Sequence, residues 1–281
     1  MAALPARPHP LPHRNFTIMN DPYFALISVF NAPDRHLLGN PSAVVYSEQP
    51  LGDTQMQAWS ALWHQPATTF LSPLGEDNFT VRWFAPDAEI GLCGHGSAAA
   101  LVYLHRFRGK EQVGLESPGG KLGGKADGRG FELEIDPIEV VERRPAPVGL
   151  AEALGTEIVD YFQTTNKDLV LLKNESQLKK VQADFTALAK LPPFGYVLTA
   201  PGEEVDFVSR TLVPKVQQLE DHATGSSHAI LVPFWSERLQ KRDFSAIQHS
   251  PRGGFFRAAM GLSKVLLRGE YRLEAEGRMH L

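Results

Sequence analysis

Two stretches of the chain share one pattern of hydrophobic and polar positions, in which a glycine-rich turn opens a helix that is apolar on nearly all sides. The first runs from Cys93 to about Phe107, and the second follows Thr224 and contains Pro233. A helix that is hydrophobic all round has to be buried. Because a proline inside a helix removes a hydrogen bond, we predict that the second helix begins late or kinks. Each stretch predicts a central helix that its own half of the chain surrounds.

Short segments rich in β-branched and aromatic residues precede and follow both stretches and predict strands. In the first half they are 23–30, 42–46, 68–71, 79–84 and 131–135. In the second half they are 161–163, 169–172, 196–199, 206–211, 245–248, 255–260, 264–267 and 271–273. Helical spacing predicts further helices at 54–64 and 176–188. The fold class is therefore α+β, with two similar β-rich halves that each wrap one helix.

The pattern also predicts where the chain divides. Residues 1–22 form a Pro-rich extension with little capacity to pack, and 23–136 form the first half. The Pro-rich stretch 137–147 is a predicted linker, and 148–270 form the second half. We expect the last strand, at about 271–281, to complete the first half.

The two glycine-rich turns predict an anion site. Gly94, Gly96 and Gly225 carry no side chain at the first helical turn, where backbone N–H groups lack partners and the helix dipole is positive. If the halves pack together, both helix N-termini can point at one cleft, where a carboxylate would meet two sets of N–H groups. Taken singly, each turn is also explained as a tight strand-to-helix connection.

Composition narrows the classes of partner and location. Of 281 residues, 43% are hydrophobic and 21% charged, with a formal net charge of −4 and no basic stripe, which argues against nucleic acid. No stretch approaches the ~20 apolar residues of a membrane span. We expect no signal peptide and a cytoplasmic location. Cys93 is the only cysteine, which excludes an internal disulfide or a multi-cysteine zinc site.

Four segments of the sequence resemble the phenazine-biosynthesis (PhzF-type) isomerase family, which shares the fold of diaminopimelate epimerase. They are 29–45, 82–96 with its Cys-Gly-His-Gly turn, 220–226 with its Thr-Gly-Ser turn, and 244–254. The resemblance implies two pseudo-symmetric α+β halves, each a curved sheet or barrel around a central helix, with the ligand cleft between them. It also implies a homodimer and an isomerase that moves a proton in a small molecule without a cofactor or metal.

One position departs from the family pattern. The family carries a glutamate before Thr-x-Phe as its general acid/base, but in this sequence Ala67 stands there, before Thr68. A methyl group cannot carry a proton. His64 lies close by in the sequence and is a further candidate to compensate for the missing carboxylate.

The resemblance implies catalytic roles for His95 and Asp221. A helix N-terminus disfavours imidazolium, so His95 is expected to act as a neutral base or hydrogen-bond donor. Asp221 would accept a proton or orient a substrate amine or hydroxyl, and it would also suit the cap of the following helix.

Cys93 matches one of the two thiol bases of the related epimerases, but Thr224 occupies the second position, so a two-thiol racemase is excluded. A single thiolate base and a buried, inert thiol both remain open for Cys93. The residues expected to bind substrate are Asn40, Gly94, Gly96, Gly225 and Ser226, with His228 and Arg252 as further candidates.

The sequence therefore predicts a PhzF-like, cofactor-independent isomerase of a small carboxylate- or enol-bearing metabolite in a biosynthetic pathway. The reaction would be a proton shift, a dehydration or a ring-forming rearrangement that uses His95 and Asp221. The alternative is a non-catalytic binding or scaffold protein that has lost its acid/base residue at Ala67.

Overall fold

Seven strands of the first half and the last strand of the chain close into an eight-stranded barrel around one helix. The computed structural model describes residues 23–278. Along the chain the first half comprises β1 (Tyr23–Asn31), β2 (Asn40–Tyr46), α1 (Asp53–Trp63), β3 (Ala67–Pro73), β4 (Asn78–Phe84), β5 (Glu89–Ile90), α2 (Gly94–Arg108), β6 (Gln112–Ser117), β7 (Gly120–Ala126) and β8 (Phe131–Ile135). Residues 94–104 of α2 are buried inside this barrel.

The second half repeats the arrangement. It comprises β9 (Val140–Arg143), α3 (Leu150–Leu154), β10 (Asp160–Thr164), β11 (Asp168–Leu171), α4 (Glu175–Lys180), α5 (Phe185–Ala189), β12 (Tyr196–Pro201), β13 (Phe207–Leu212), β14 (Glu220–Asp221), α6 (Gly225–Leu239), β15 (Asp243–Gln248), β16 (Gly254–Met260) and β17 (Val265–Arg278). The central helix is α6, which is buried from Gly225 through Val232.

The pairing of strands follows the same rule in both halves. In the first half β2 pairs parallel with β3 and β4 with β6, and in the second half β11 pairs parallel with β12 and β13 with β15. The other neighbours are antiparallel. Strand β17 joins the halves, because its first part pairs with both β16 and β8 and its last part, 270–278, pairs with β1. This is the diaminopimelate epimerase-like α+β fold that the sequence predicts.

Short helices cover the outer faces of the two sheets. In the first half, Met56 of α1 packs with Val45, Phe70 and Phe84. In the second half, α3, α4 and α5 contribute a cluster of leucines over β10 to β13, namely Leu150, Leu154, Leu178 and Leu188. Each central sheet is thus covered on both faces, which fixes the position of the turns that precede α2 and α6.

The structure corrects several details of the sequence prediction. Part of the predicted linker 137–147 is strand β9, which pairs with β10. The predicted helix 176–188 divides into α4 and α5, since Asp184 caps the second of these helices with its side chain. The predicted strands 264–267 and 271–273 are both parts of β17. The predicted extension, 1–22, and the end of the last strand, 279–281, lie outside the described residues.

Helix α6 begins at its glycine turn and continues past Pro233. A proline provides no N–H for the carbonyl four residues earlier, which here belongs to Ala229. That carbonyl accepts a hydrogen bond from the N–H of Ile138, at 3.0 Å. Of the two predicted alternatives, a late start or a kink, the late start is wrong. The segment between β8 and β9 satisfies the carbonyl that the proline leaves free.

Candidate functional site

A cavity of about 830 Å³ lies where the two halves meet. From the first half it is lined by the α1–β3 connection, 64–66, and by the segment 85–95. From the second half it is lined by 166–167, by the connection between β13 and β14, and by the start of α6. Its floor therefore consists of the two glycine-rich turns.

The N-termini of α2 and α6 abut at this floor. A Cβ atom added to Gly94 would lie 2.6 Å from the Cα of Gly225, and one added to Gly225 would lie 2.8 Å from the Cα of Gly94. Both positions require glycine because the two backbones touch. Since the first N–H groups of a helix have no carbonyl within the helix to bond, this contact brings two such sets together. The site favours an anion for the same reason.

Asp221 lies in the cavity wall and is held by donors from both halves. Its Oδ1 accepts hydrogen bonds from Asn40 Nδ2 at 2.7 Å and from the N–H of His222 at 2.9 Å, and its Oδ2 accepts one from Thr224 Oγ1 at 2.7 Å. Burial alone would raise the pKa of Asp221. The electrostatic interaction with His95 and the hydrogen bonds from Thr224 and Asn40 outweigh burial and hold this pKa below its usual value.

Gln248 fixes the turn that carries Asp221. Its Oε1 accepts from the N–H of Thr224 at 2.8 Å, and its Nε2 donates to the carbonyl of Asp221 at 2.7 Å. Asn40 and Gln248 are both fully buried. Asn40, expected to bind substrate, does not line the cavity; it positions Asp221 from the opposite half.

His95 and Cys93 face the same cavity from the first half. His95 is 5% exposed, and its Nδ1 lies 3.5 Å from the sulfur of Cys93. Burial lowers the pKa of His95, with Asp221 opposing that shift, so the imidazole is neutral at neutral pH. Burial raises the pKa of the Cys93 thiol to about 12. Of the two readings left open for Cys93, the protonated thiol is therefore favoured over the thiolate base.

Lys167 is a cavity residue that the sequence reasoning missed. It lies in the turn between β10 and β11 and is 5% exposed, and its Nζ donates to Ser226 Oγ at 3.0 Å. Burial lowers the pKa of Lys167 to about 8, against the opposing effect of Asp221. The repeat between the halves could have drawn attention to this turn, since it corresponds to the start of β2, where Asn40 lies.

The remaining predicted residues are distributed between the cavity and the core. Gly225, Ser226 and Gly94 line the cavity, and so does the exposed His64, whose Nε2 lies 3.5 Å from Gln217 Nε2 of the second half. Gly96 does not line the cavity. It packs against the ring of Trp83 instead, since a Cβ added there would lie 2.6 Å from Trp83 Cδ1.

Three positions named in the sequence analysis lie behind the cavity wall. Ala67 is fully buried. His228 is fully buried as well, with its ring stacked on Phe256 at 3.5 Å between centroids and its Nδ1 2.9 Å from the carbonyl of Thr224. Arg252 donates to the carbonyl of Gly39 at 2.8 Å. None of these three residues lines the cavity.

Within residues 23–278, no helix is both long and apolar enough to cross a membrane. The same part of the chain contains no cluster of three or more His, Cys, Asp or Glu side chains that could hold a metal ion.

The fold and the cleft define a class of protein. The structure aligns with a probable proline racemase of Agrobacterium radiobacter at a TM-score of 0.65 over 92% of this chain and 93% of that one. At 11% identity this likeness concerns the fold alone. Two halves of this kind with a cleft between them are the architecture of the diaminopimelate epimerase-like proteins.

Closer relatives identify the family within that class. The family profile described as "Phenazine biosynthesis-like protein" matches residues 28–277. An uncharacterized isomerase of Pseudomonas aeruginosa is 35% identical over 249 residues, which are 88% of this chain and 95% of the relative. A crystal structure of a PhzF-family protein from Enterococcus faecalis is 34% identical and superposes at a TM-score of 0.85 over 94% of this chain and 100% of that one. The chain therefore belongs to the phenazine biosynthesis-like (PhzF) family.

Proposed function

We propose that the protein is an isomerase that moves a proton within a small carboxylate- or enol-bearing metabolite of a biosynthetic pathway. The reaction would be a proton shift, a dehydration or a ring-forming rearrangement. The observation that carries this proposal is the meeting of two helix N-termini, a buried His95 and a buried Asp221 around one cavity.

The floor of the cavity suits a carboxylate. The N–H groups of the first turns of α2 and α6 point the same way as the dipoles of those helices, and both favour a negative charge. A carboxylate held there would fix one end of the metabolite and place its remaining carbons along the cavity wall. Fixing the substrate in a reactive shape accelerates a rearrangement by itself.

His95 and Asp221 provide complementary chemistry next to that carboxylate. A neutral imidazole can take a proton from the substrate, and the ionised Asp221 stabilises the imidazolium that results. The three hydrogen bonds to Asp221 keep its carboxylate in place and in the ionised form. Cys93, with a raised pKa, contributes a neutral thiol beside the imidazole.

One observation favours a second candidate, a ligand-binding protein without catalysis. Ala67 offers a buried methyl group where the resemblance to the family leads one to expect a glutamate. A protein of this kind would keep the anion-binding floor and bind carboxylates without exchanging their protons.

The two candidates are separated by proton exchange in deuterated water. The native protein, His95→Gln and Asp221→Asn are incubated with a panel of cyclohexadiene carboxylates, oxo acids and unsaturated amino acids, and deuterium in the recovered acids is measured by mass spectrometry. We expect the native protein to label at least one acid, and each substitution to slow labelling by about 100-fold or more, the size of a general acid/base contribution.

His36→Asn is the matched control, because His36 lies on an exposed turn and does not line the cavity. It should label the acids at the native rate. If no acid is labelled but the acids still bind, the non-catalytic candidate is favoured. If labelling survives both His95→Gln and Asp221→Asn, the proposed roles of these two residues are wrong.

A further inference from the structure

The amine of Lys167 is buried in the cleft and held in a fixed position. Its Nζ donates to Ser226 Oγ and to Asn166 Oδ1, at 3.0 and 2.5 Å. Its stem packs on Gly195, where an added Cβ would lie 3.2 Å from Lys167 Cγ. Ser226 lies in the first turn of α6, at the floor of the cavity. The ammonium group is therefore at the edge of the space in which a ligand would bind.

The pseudo-symmetry of the fold relates Lys167 to a position without ionisable chemistry. Glu89 lies five residues before α2 and Glu220 five residues before α6, and these residues pair with Phe84 and Leu212. Phe84 pairs with Thr68 and Leu212 with Tyr196, so the residues that precede these partners, Ala67 and Gly195, are equivalent. On the next strands, Thr68 pairs with Ala43 and Tyr196 with Asp168, so the preceding residues Ser42 and Lys167 are equivalent as well.

The two equivalent pairs differ in what they can do. In the first half, the pair Ser42 and Ala67 provides a hydroxyl that donates to the carbonyl of Ala67 at 3.0 Å and a buried methyl. In the second half, the pair Lys167 and Gly195 provides an amine whose stem fills the space beside the glycine. Of these two equivalent pairs of positions, only the pair in the second half includes an ionisable side chain.

The other buried ionisable groups of the cavity each favour one protonation state between pH 7 and 8. They are Asp221, held ionised, His95, held neutral, and Cys93, held as a thiol. The lining also includes His64, Asp87 and Glu89, which are exposed at the surface. Burial brings the pKa of Lys167 to about 8, so amine and ammonium are both populated near neutral pH. A proton-transfer group is most effective under that condition.

We propose that Lys167 is a proton-transfer residue of this cleft, which removes a proton from one carbon of the bound acid and delivers it to another, while the neutral His95 acts in this cycle as a hydrogen-bond donor. The inference rests on the proposed isomerase function. In the first step a substrate C–H bond breaks, its electron pair enters the conjugated system of the acid, and the amine becomes an ammonium. In the second step an N–H bond of the ammonium breaks and a new C–H bond forms, so that protons and electrons balance over the cycle.

The decisive variant is Lys167→Arg, because a guanidinium keeps the positive charge but does not release its proton near neutral pH. If Lys167 transferred no proton and only attracted a carboxylate, this variant would retain labelling. We expect Lys167→Arg and Lys167→Met each to lower the kcat of deuterium labelling of the acids by at least about 100-fold. Lys167→Arg should do so with little change in KM. Lys190→Arg, an exposed lysine on the same half, is the control and should be unchanged.

A titration of the amine gives a readout that needs no substrate. With ¹³C-labelled lysine side chains, NMR should detect one lysine that titrates near pH 8 and disappears in Lys167→Arg. In the native protein kcat/KM should rise with pH through the same value, since the amine is the form that accepts the proton.

Two results would overturn the inference: a Lys167→Arg protein that keeps more than a third of native kcat, or a Lys167 signal that titrates above pH 10. If the native protein labels none of the acids, the proposed function fails and the role of Lys167 in proton transfer fails with it. Labelling that Lys167→Arg retains but His95→Gln loses would overturn the inference alone.

Discussion

The turn before α2 and the turn before α6 have the same backbone but opposite chemistry. Position by position, Ile90 corresponds to Asp221, Cys93 to Thr224 and His95 to Ser226. The first turn contributes groups that are uncharged at neutral pH, whereas the second contributes the carboxylate, with Lys167 beside it. The fold repeats the glycine-turn framework, while the buried charged groups of the cavity, Lys167 and Asp221, both belong to the second half.

Neither half alone would provide the chemistry of the cavity. Asp221 belongs to the second half, but Asn40 of the first half donates a hydrogen bond to it. His95 belongs to the first half, but Asp221 is the group that would stabilise its charged form. Chemistry at the cavity therefore depends on how closely the two halves are docked.

The largest effect is expected where the two turns touch. Gly94→Ala and Gly225→Ala each place a Cβ within 2.8 Å of the opposite backbone, which cannot move aside as a flexible side chain would. We expect each to lower the free energy of unfolding by about 3 kcal/mol, the upper part of the range for overpacking. Urea unfolding measures this, with Gly75→Ala as the control because no atom lies within 4 Å of its added Cβ. Equal stability of all three variants would contradict the head-to-head contact.

The next largest effect is a pH dependence of stability that originates in α6 and has no counterpart in α2. His228 of α6 and Ser97 of α2 are equivalent, and each bonds the carbonyl of its own N-cap residue, but only His228 titrates. Its pKa is lowered by burial to about 4, so between pH 6.5 and pH 4 the unfolded chain binds a proton that the folded protein does not. Stability therefore falls as the pH falls through this range.

Lowering the pH from 7 to 5 should reduce the free energy of unfolding by about 2 kcal/mol through His228 alone. His228→Gln can still bond the carbonyl of Thr224 but cannot titrate, so the loss of stability over this range should shrink by that amount. Unfolding in urea at several pH values provides the measurement. An unchanged pH dependence in His228→Gln would be inconsistent with a buried, neutral His228.

A smaller effect on stability is expected at Asn40, and almost none at Thr165, the equivalent position in the second half. Asn40 is buried and donates to Asp221 and to the carbonyl of Ala223, whereas Thr165 is exposed. We expect Asn40→Ala to cost about 1 to 2 kcal/mol through the lost hydrogen bonds, and Thr165→Ala to cost almost nothing. Thermal unfolding measures both, and comparable losses would show that the bond across the cleft is unimportant.

The smallest effect concerns His64, at the mouth of the cavity. Its ring is exposed and reaches only Gln217, at 3.5 Å. We expect His64→Ala to change stability by less than about 0.5 kcal/mol, as for other surface positions, and deuterium labelling by less than threefold. A loss of labelling comparable to that of His95→Gln would instead make His64 the group that compensates for Ala67.

The sequence was sufficient to predict those features that depend on local pattern. Each apolar helix and its glycine turn are encoded by neighbouring residues. Because the same motif occurs twice, the sequence also predicts two similar halves. The predicted strands 264–267 and 271–273 form the single strand β17, in which Gly269 lies against Phe30. Periodicity alone does not distinguish a turn glycine from one that makes room for a ring.

Lys167 could not be identified in the same way. Its turn is polar and resembles any solvated loop, and its partner Ser226 is 59 positions away. Burial of its amine depends on Gly195 and on the start of α6, which only the folded chain brings together. The role of Asn40 was obscured for a similar reason, since it acts through Asp221 on the other half and has no contact with the cavity itself.

The central claim, that the two turns form one anion site, is tested most directly by NMR of the native protein. Benzoate, an aromatic carboxylate, is titrated into ¹⁵N-labelled protein and the amide signals are followed. We predict that Gly94, Gly225 and Ser226 shift together and fit a single Kd, with no comparable change around the distant groove at Lys125 and Arg257. A response confined to one of the two turns, or strongest at that groove, would contradict the account.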